Sequence, residues 1–135
     1  MAILADTGFL FALLDRDDDH HEEAAELLKS GRESVIVPAV VLPEVCYLAH
    51  KYLGAAVEAS FLDGLLRGEL ALEWGQTEDL RRAVGILRSR PDFGMVDATV
   101  MAVAERLRIR RIATFDRRHF GGFKPALWPA FELLP

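Results

Sequence analysis

The 135-residue sequence contains a single cysteine, Cys46, so it cannot form an internal disulfide bond. A lone cysteine fits a reducing compartment, and we expect a cytoplasmic protein. No apolar run reaches the roughly 18 residues that a membrane-spanning helix needs, and no charged start leads into the apolar core of a signal peptide. Repeats, low-complexity stretches and linkers are also absent. The sequence therefore predicts a single domain over residues 1–135 without a membrane segment.

Acidic and basic residues are unevenly distributed, although the net charge of the whole chain is only −5. Residues 1–79 contain 5 Lys and Arg against 16 Asp and Glu, whereas residues 80–135 contain 11 against 5. The two parts therefore carry net charges of −11 and +6. Overall acidity argues against a polyanionic partner, but a basic part beside a metal-filled acidic cluster would attract one. Ordinary solvated surface charge is the equally open alternative.

Short apolar segments alternate with segments of helical periodicity, which is typical of an α/β fold. The predicted strands cover residues 2–5, 35–37, 70–74, 111–114 and 131–133. The predicted helices cover residues 8–14, 20–30, 40–52, 55–66, 77–89 and 95–107, and a short basic turn covers 117–120. We therefore expect three layers, with a central parallel sheet of four to five short strands and helices on both of its faces.

Four acidic residues occupy related positions in this predicted fold. Asp6 and Asp116 end strands, whereas Glu44 and Asp97 lie in the first turns of helices. Each has a local alternative role as a helix cap or as a partner of the helix dipole. If they share one pocket, two carboxylates 4 Å apart repel by about 4 kcal/mol at an effective dielectric constant of 20, so cations are needed. Because no His or Cys accompanies the acids in this pattern, the oxygen-binding ions Mg²⁺ and Mn²⁺ are expected.

Two other metal-site patterns are less well supported by the sequence. The acids at positions 15, 17, 19 and 26 have the spacing of a calcium-binding loop, but His20 stands where the sharp turn requires glycine. Cys46 and His50 are one helical turn apart, yet no second pair completes four ligands, so ordinary packing is favoured.

The order and separations of four segments resemble those of PIN-domain ribonucleases. The segments are Asp6-Thr7-Gly8-Phe9-Leu10, Pro43-Glu44-Val45, Val96-Asp97-Ala98 and Thr114-Phe115-Asp116-Arg117-Arg118-His119-Phe120. The acidic stretch 15–24 is also similar to the entry of the family's second helix. The similarity covers nearly the whole chain and is greatest to VapC-type toxins of bacterial and archaeal toxin–antitoxin pairs.

This resemblance implies a PIN-like α/β/α fold and an endoribonuclease that hydrolyses RNA to 5′-phosphate and 3′-hydroxyl ends. It implies that Asp6, Glu44, Asp97 and Asp116 bind one or two Mg²⁺ or Mn²⁺ ions, with Asp6 and Asp97 most directly tied to the metal. We expect Glu44 to orient the attacking water. Supporting positions are Thr7 and Thr114, the latter positioning Asp116.

Basic and aromatic residues are candidates for contact with RNA. The candidates for phosphate contact are Arg110, Arg111, Arg117, Arg118 and Lys124. Phe93, Phe120 and Trp128 have rings that could stack on bases, although packing in the core is favoured. Asp92 is an additional acid to which the sequence assigns no role.

The resemblance also implies a small antitoxin that blocks the site, often with a basic side chain, and a homodimer. A non-catalytic PIN-like scaffold that binds RNA or a partner protein is the alternative function. Phosphoacceptor α/β proteins fit less well, because haloacid-dehalogenase-type phosphatases need an acid where Gly8 stands. Receiver domains need an acid pair after the first strand and a lysine after the last, and this sequence has neither.

Overall fold

A sheet of five parallel strands forms the centre of the computed structural model, which describes residues 1–135. The strands are β1 (Ala2–Ala5), β2 (Ser34–Pro38), β3 (Ala71–Glu73), β4 (Arg111–Ala113) and β5 (Glu132–Leu134). Their order in the sheet is β3-β2-β1-β4-β5. The central strand β1 is entirely apolar and three of its four residues are fully buried, as expected for a strand covered on both faces. The predicted α/β class and parallel sheet are confirmed.

Seven helices surround the sheet. They are α1 (Thr7–Leu14), α2 (His21–Lys29), α3 (Leu42–Leu53), α4 (Ala55–Leu66), α5 (Thr77–Ser89), α6 (Met95–Leu107) and α7 (Arg117–Gly121). The chain moves from β1 to β3 in one direction and returns across the sheet to β4, so right-handed crossovers place α1–α4 on one face and α5–α6 on the other. None of these helices combines the length and the apolar character that a bilayer crossing requires.

Two predicted boundaries differ from the structure for local reasons. Helix α3 begins at Leu42 rather than residue 40, after a 3₁₀ turn at Ala39–Val41, because Pro43 has no N–H and fits only the first helical turn. Residues 117–120 form most of helix α7 instead of a turn. Asp116 caps this helix by accepting a hydrogen bond from the backbone N–H of His119 at 3.0 Å.

Two of the three aromatic residues considered for base stacking lie in the hydrophobic core. Phe120 is fully buried and Phe93 nearly so, which confirms the packing interpretation for both rings. Trp128 is half-buried and packs against Phe131, with ring centroids 6.2 Å apart. The core therefore accounts for these rings without an RNA partner.

A charged cluster fixes the layer that contains α5 and α6. Arg106 donates hydrogen bonds to both carboxylate oxygens of Asp79 and to Glu73 at the end of β3, the shortest at 2.7 Å. Asp79 is only 3% exposed and also accepts from the backbone N–H of Gln76, completing a capping box at the start of α5. The buried carboxylate therefore depends on a single guanidinium for neutralisation.

We expect Arg106→Met to lower the free energy of unfolding by about 3 kcal/mol, because it leaves the Asp79 charge buried without a partner. Arg81→Met is the matched control, since Arg81 pairs with Glu78 at the surface, where both side chains are well exposed. Its loss should cost under about 1 kcal/mol. Urea denaturation measures both values, and equal effects of the two substitutions would contradict the importance of the buried pair.

Candidate active site

The carboxylate of Asp6 lies at the end of the central strand, where β1 turns into α1. Its Oδ1 accepts a hydrogen bond from the backbone N–H of Phe9 at 2.8 Å and so caps helix α1. The other oxygen, Oδ2, accepts a hydrogen bond from the hydroxyl of Thr114. Asp6 is only 5% exposed, so the residue that caps α1 is also buried beside β4.

Thr114 connects Asp6 to the acid that follows β4. The Thr114 hydroxyl donates to Asp6 and accepts a hydrogen bond from the backbone N–H of Asp116 at 2.9 Å. The backbone N–H of Asp6 also donates to the carbonyl of Ala113 at 3.1 Å, which holds the ends of β1 and β4 in register. The order in which the strands are added to the sheet also reverses between β1 and β4. Open α/β sheets bind ligands at such a position.

A histidine lies between the carboxylates of Asp97 and Asp116. His119 Nδ1 lies 3.0 Å from Asp97 Oδ2 and 3.1 Å from Asp116 Oδ2. The three side chains place one potential ligand atom each within 4.8 Å of one another. The expectation that no His accompanies the acids is therefore wrong. The sequence signal for this histidine was its position three residues after Asp116. The two side chains come into contact because Asp116 caps α7.

Glu44 lies on the other side of β1, in the first turn of α3. Its Oε1 accepts a hydrogen bond from the hydroxyl of Thr7 at 2.8 Å, which links the starts of α1 and α3. The negative charge of Glu44 contributes to raising the pKa of Asp97, after burial and the charge of Asp116. Glu44 is therefore close enough to the other acids to repel them.

The electrostatics of the cluster favour a bound cation. The pKa of Asp6 is raised to about 6, chiefly by burial and to a smaller extent by the charges of Asp97 and Asp116, while the hydrogen bonds from Thr114 and from the backbone N–H of Phe9 act in the opposite direction. The pKa of Asp97 is raised as well, chiefly by burial. Carboxylate oxygens are ligands that suit Mg²⁺ and Mn²⁺, and a divalent ion would offset the repulsion.

The basic candidates separate into two groups. Arg117 and Arg118 lie exposed on α7, immediately after Asp116, and neither forms an ion pair with a carboxylate. Lys124 is also exposed, shortly after the same helix. Arg110 and Arg111 instead lie at the start of β4, on the edge of the sheet opposite the acids.

The surroundings of these two arginines explain why they do not join the site. Arg111 pairs with Glu33, just before β2, and Arg110 donates to the carbonyl of Ala130 at 2.9 Å. Their predicted contact with RNA stays a prediction, and it would lie at the start of β4, away from the acids. Closeness in sequence to Asp116 is misleading here, because Arg111 lies at the amino end of β4 and Asp116 follows its carboxyl end.

Asp92 has a structural partner rather than a place among the carboxylates. It pairs with Arg90 at 3.1 Å, and the Arg90 guanidinium lies over the ring of Phe93, 4.3 Å from the ring centroid. Phe93 in turn contacts the ring of His119 edge-on, with ring centroids 5.0 Å apart. This row of side chains therefore packs against His119.

A model of the PIN domain family matches residues 3–122 of the chain, a span that contains Asp6, Glu44, Asp97 and Asp116. The chain belongs to the PIN domain family. Among the segments that predicted this membership, those carrying Asp6 and Asp116 adjoin the ends of β1 and β4.

VapC proteins are among the relatives of this PIN domain. It is 29% identical to ribonuclease VapC26 of Mycobacterium tuberculosis over 135 residues, covering 98% of this chain and 100% of the relative. The structure of VapC20 from the same organism, a sarcin–ricin loop-cleaving toxin, matches with a TM-score of 0.84 at 24% identity, covering 98% and 99% of the two chains. A toxin–antitoxin complex from Klebsiella pneumoniae matches with a TM-score of 0.71 at 21% identity, covering 94% and 97%. The predicted resemblance to VapC-type PIN domains is confirmed.

We expect Asp6→Asn to make the metal-free protein more stable at neutral pH. An acid with a raised pKa in the folded state favours folding while protonated, so its contribution is lost as the pH rises from about 4 to about 6. The difference in unfolding free energy between Asp6→Asn and the native protein should therefore grow by up to about 3 kcal/mol from pH 4 to pH 7.

Urea denaturation in the presence of a chelator, repeated at each pH, measures this difference. Asn keeps an oxygen that can cap α1, so the substitution removes the charge without removing the cap. Asp63→Asn, on the exposed side of α4, is the control and should show no such growth. A difference that does not vary with pH would show that the charge of Asp6 does not destabilise the folded protein.

Proposed function

We propose that this PIN domain is a divalent-metal-dependent endoribonuclease and the toxin of a VapBC-type pair. The observation that carries the proposal is the grouping of Asp97 and Asp116, whose ligand atoms lie within 4.8 Å of each other, near the buried Asp6 at the end of β1. Burial, and to a smaller extent the charges of Asp97 and Asp116, raise the pKa of Asp6. The name of the relative VapC26, a ribonuclease, supports RNA as the substrate.

Asp6, Asp97, Asp116 and Glu44 are the residues that would hold one or two Mg²⁺ or Mn²⁺ ions. When bound, such an ion supplies a Lewis acid that activates water and offsets the charge of the phosphate. Thr114 holds Asp6 and Asp116 at a fixed separation through its single hydroxyl group. These contacts fix the acids before any ligand arrives.

For Glu44 we propose a role on water as well as on the metal. Its Oε1 is occupied by the hydroxyl of Thr7, which leaves Oε2 free to accept a hydrogen bond from the attacking water. We assign to Glu44 the orientation of this water for attack on phosphorus, with the 3′ oxygen as the leaving group. The products would carry 5′-phosphate and 3′-hydroxyl ends.

Arg117, Arg118 and Lys124 provide positive charge on the approach to the acids. Their side chains are exposed, and the two arginines have no acidic partner, so they are free to contact phosphates. The position of Arg117 and Arg118 directly after Asp116 supports RNA binding by a chain with a net charge of −5.

A small antitoxin is the proposed protein partner. The structural match in a Klebsiella pneumoniae toxin–antitoxin complex supports this assignment, and a basic side chain placed among the acids would block the site. We further propose a homodimer acting in the cytoplasm. The non-catalytic scaffold is the weaker alternative, because none of the four acids is missing.

We expect Asp97→Asn to reduce RNA cleavage about 100-fold or more, because it removes a charged ligand and leaves the fold intact. Purified protein is incubated with structured RNAs, including a sarcin–ricin loop hairpin, in Mg²⁺, Mn²⁺ or a chelator. Asp63→Asn is the matched control and should cleave like the native protein. Cleavage that persists in Asp97→Asn and in the chelator would refute the site assignment and favour a contaminating nuclease.

RNA binding should depend on Arg117 and not on Arg110. We expect Arg117→Gln to weaken binding to single-stranded RNA in a chelator and to reduce the slope of log affinity against log salt by about 0.7, as for one lost phosphate contact. Arg110→Gln, at the opposite edge of the sheet, should leave this slope unchanged. Fluorescence anisotropy at several salt concentrations measures both, and equal slopes for the two variants would remove α7 from the RNA surface.

A further inference from the structure

His119 is held beside two of the four acids, Asp97 and Asp116. Its Nδ1 faces Asp97 and Asp116, and its ring is only 22% exposed. The cap formed by Asp116 fixes its position on α7, and the edge-on contact with Phe93 holds the ring from the other side. The Arg90 guanidinium packs on Phe93 and donates to the carbonyl of Gly122 at 2.8 Å, so this support is itself anchored.

We propose that His119 supplies a nitrogen ligand to the ion held by Asp97 and Asp116, and that this ligand makes the site prefer Mn²⁺ to Mg²⁺. The inference rests on the metal site of the proposed function. It adds a residue that is not one of the four acids, and it assigns to this residue the choice of metal.

The distances around His119 suit neighbouring ligands of a single ion. Adjacent ligands of an octahedral ion with bonds of about 2.1 Å lie about 3.0 Å apart. The separations of Nδ1 from the carboxylate oxygens of Asp97 and Asp116 are 3.0 and 3.1 Å. The group could therefore exchange its hydrogen bonds for metal bonds without a large movement of the backbone.

The proton of the imidazole ring can be accommodated during this exchange. In the metal-free protein, Nδ1 lies within hydrogen-bonding distance of both carboxylates and donates to them when it carries the ring proton. Metal binding needs the Nδ1 lone pair, so a neutral ring must carry its proton on Nε2 instead. Nε2 makes no hydrogen bond within the protein, so no existing contact opposes this tautomer.

The expected preference for Mn²⁺ follows from the chemistry of the ligand. Mg²⁺ is bound mainly by oxygen atoms and retains its waters, whereas imidazole suits later first-row metals. In the usual affinity order, Mn²⁺ lies at the weak end of those metals, so the preference over Mg²⁺ should be moderate. An all-carboxylate site would lack this source of discrimination.

The test measures metal binding to the whole protein without RNA. Pulsed electron paramagnetic resonance of bound Mn²⁺ detects coupling to a nitrogen ligand, and calorimetry gives the affinities for Mn²⁺ and Mg²⁺. The variants are His119→Asn, whose amide can still donate to the carboxylates, and His20→Asn as the control. His20 is exposed, pairs with Glu23 and stacks on Phe115, but contacts none of the four acids of the candidate site.

We expect nitrogen coupling in the native protein and in His20→Asn, and its loss in His119→Asn. The ratio of Mn²⁺ to Mg²⁺ affinity should fall about tenfold in His119→Asn alone. Bound Mn²⁺ without nitrogen coupling in the native protein would overturn the proposal, as would an unchanged ratio in His119→Asn, because His119 would then only position the carboxylates. A failure of Mn²⁺ to bind would overturn it as well.

These outcomes separate the proposal from the proposed function. RNA cleavage without nitrogen coupling would retain the nuclease and reject His119 as a ligand. Nitrogen coupling without cleavage of any RNA would retain the ligand and reject the nuclease.

Discussion

The geometry of the site depends on the two hydrogen bonds made by the hydroxyl group of Thr114. It donates to Asp6 and accepts from the backbone of Asp116, so a single oxygen sets the separation of acids that come from two strands. The strands themselves are held together by the bond from Asp6 N–H to Ala113. Repulsion between the acids is therefore resisted by the centre of the sheet, where the surrounding residues are most deeply buried.

A second constraint acts at the far end of the helix that carries Asp97. The first turn of α6 contains Asp97 and its last turn contains Arg106, whose guanidinium binds the buried Asp79 and the end of β3. The helix is thus fixed to the sheet by an ion pair that lies away from the acidic cluster. A buried ion pair adds little net stability but is costly to break, so its main effect is to define where α6 lies.

The positions of the acids could be predicted from the sequence because they depend on topology. Apolar runs located the strands, and parallel strands bring their carboxyl ends to one edge, where Asp6 and Asp116 follow β1 and β4. His119 could not be predicted in this way, because its contact depends on a helix of five residues and on the cap at its start. The arginines show the same limit, since Arg111 and Arg117 are six positions apart yet lie at opposite edges of the sheet.

Local structure and function also use the same carboxylates without competing. Asp6 caps α1 with Oδ1 and receives Thr114 on Oδ2, while Asp116 caps α7 with Oδ1 and faces His119 with Oδ2. A carboxylate has enough acceptor sites for both tasks, so the capping interpretation never excluded the functional one. Capping also helps to explain how these two acids are tolerated close together, because Asp6 and Asp116 each accept a backbone N–H at a helix start. One acid at a helix start therefore says little about function, whereas several that meet at one edge of a sheet indicate a site.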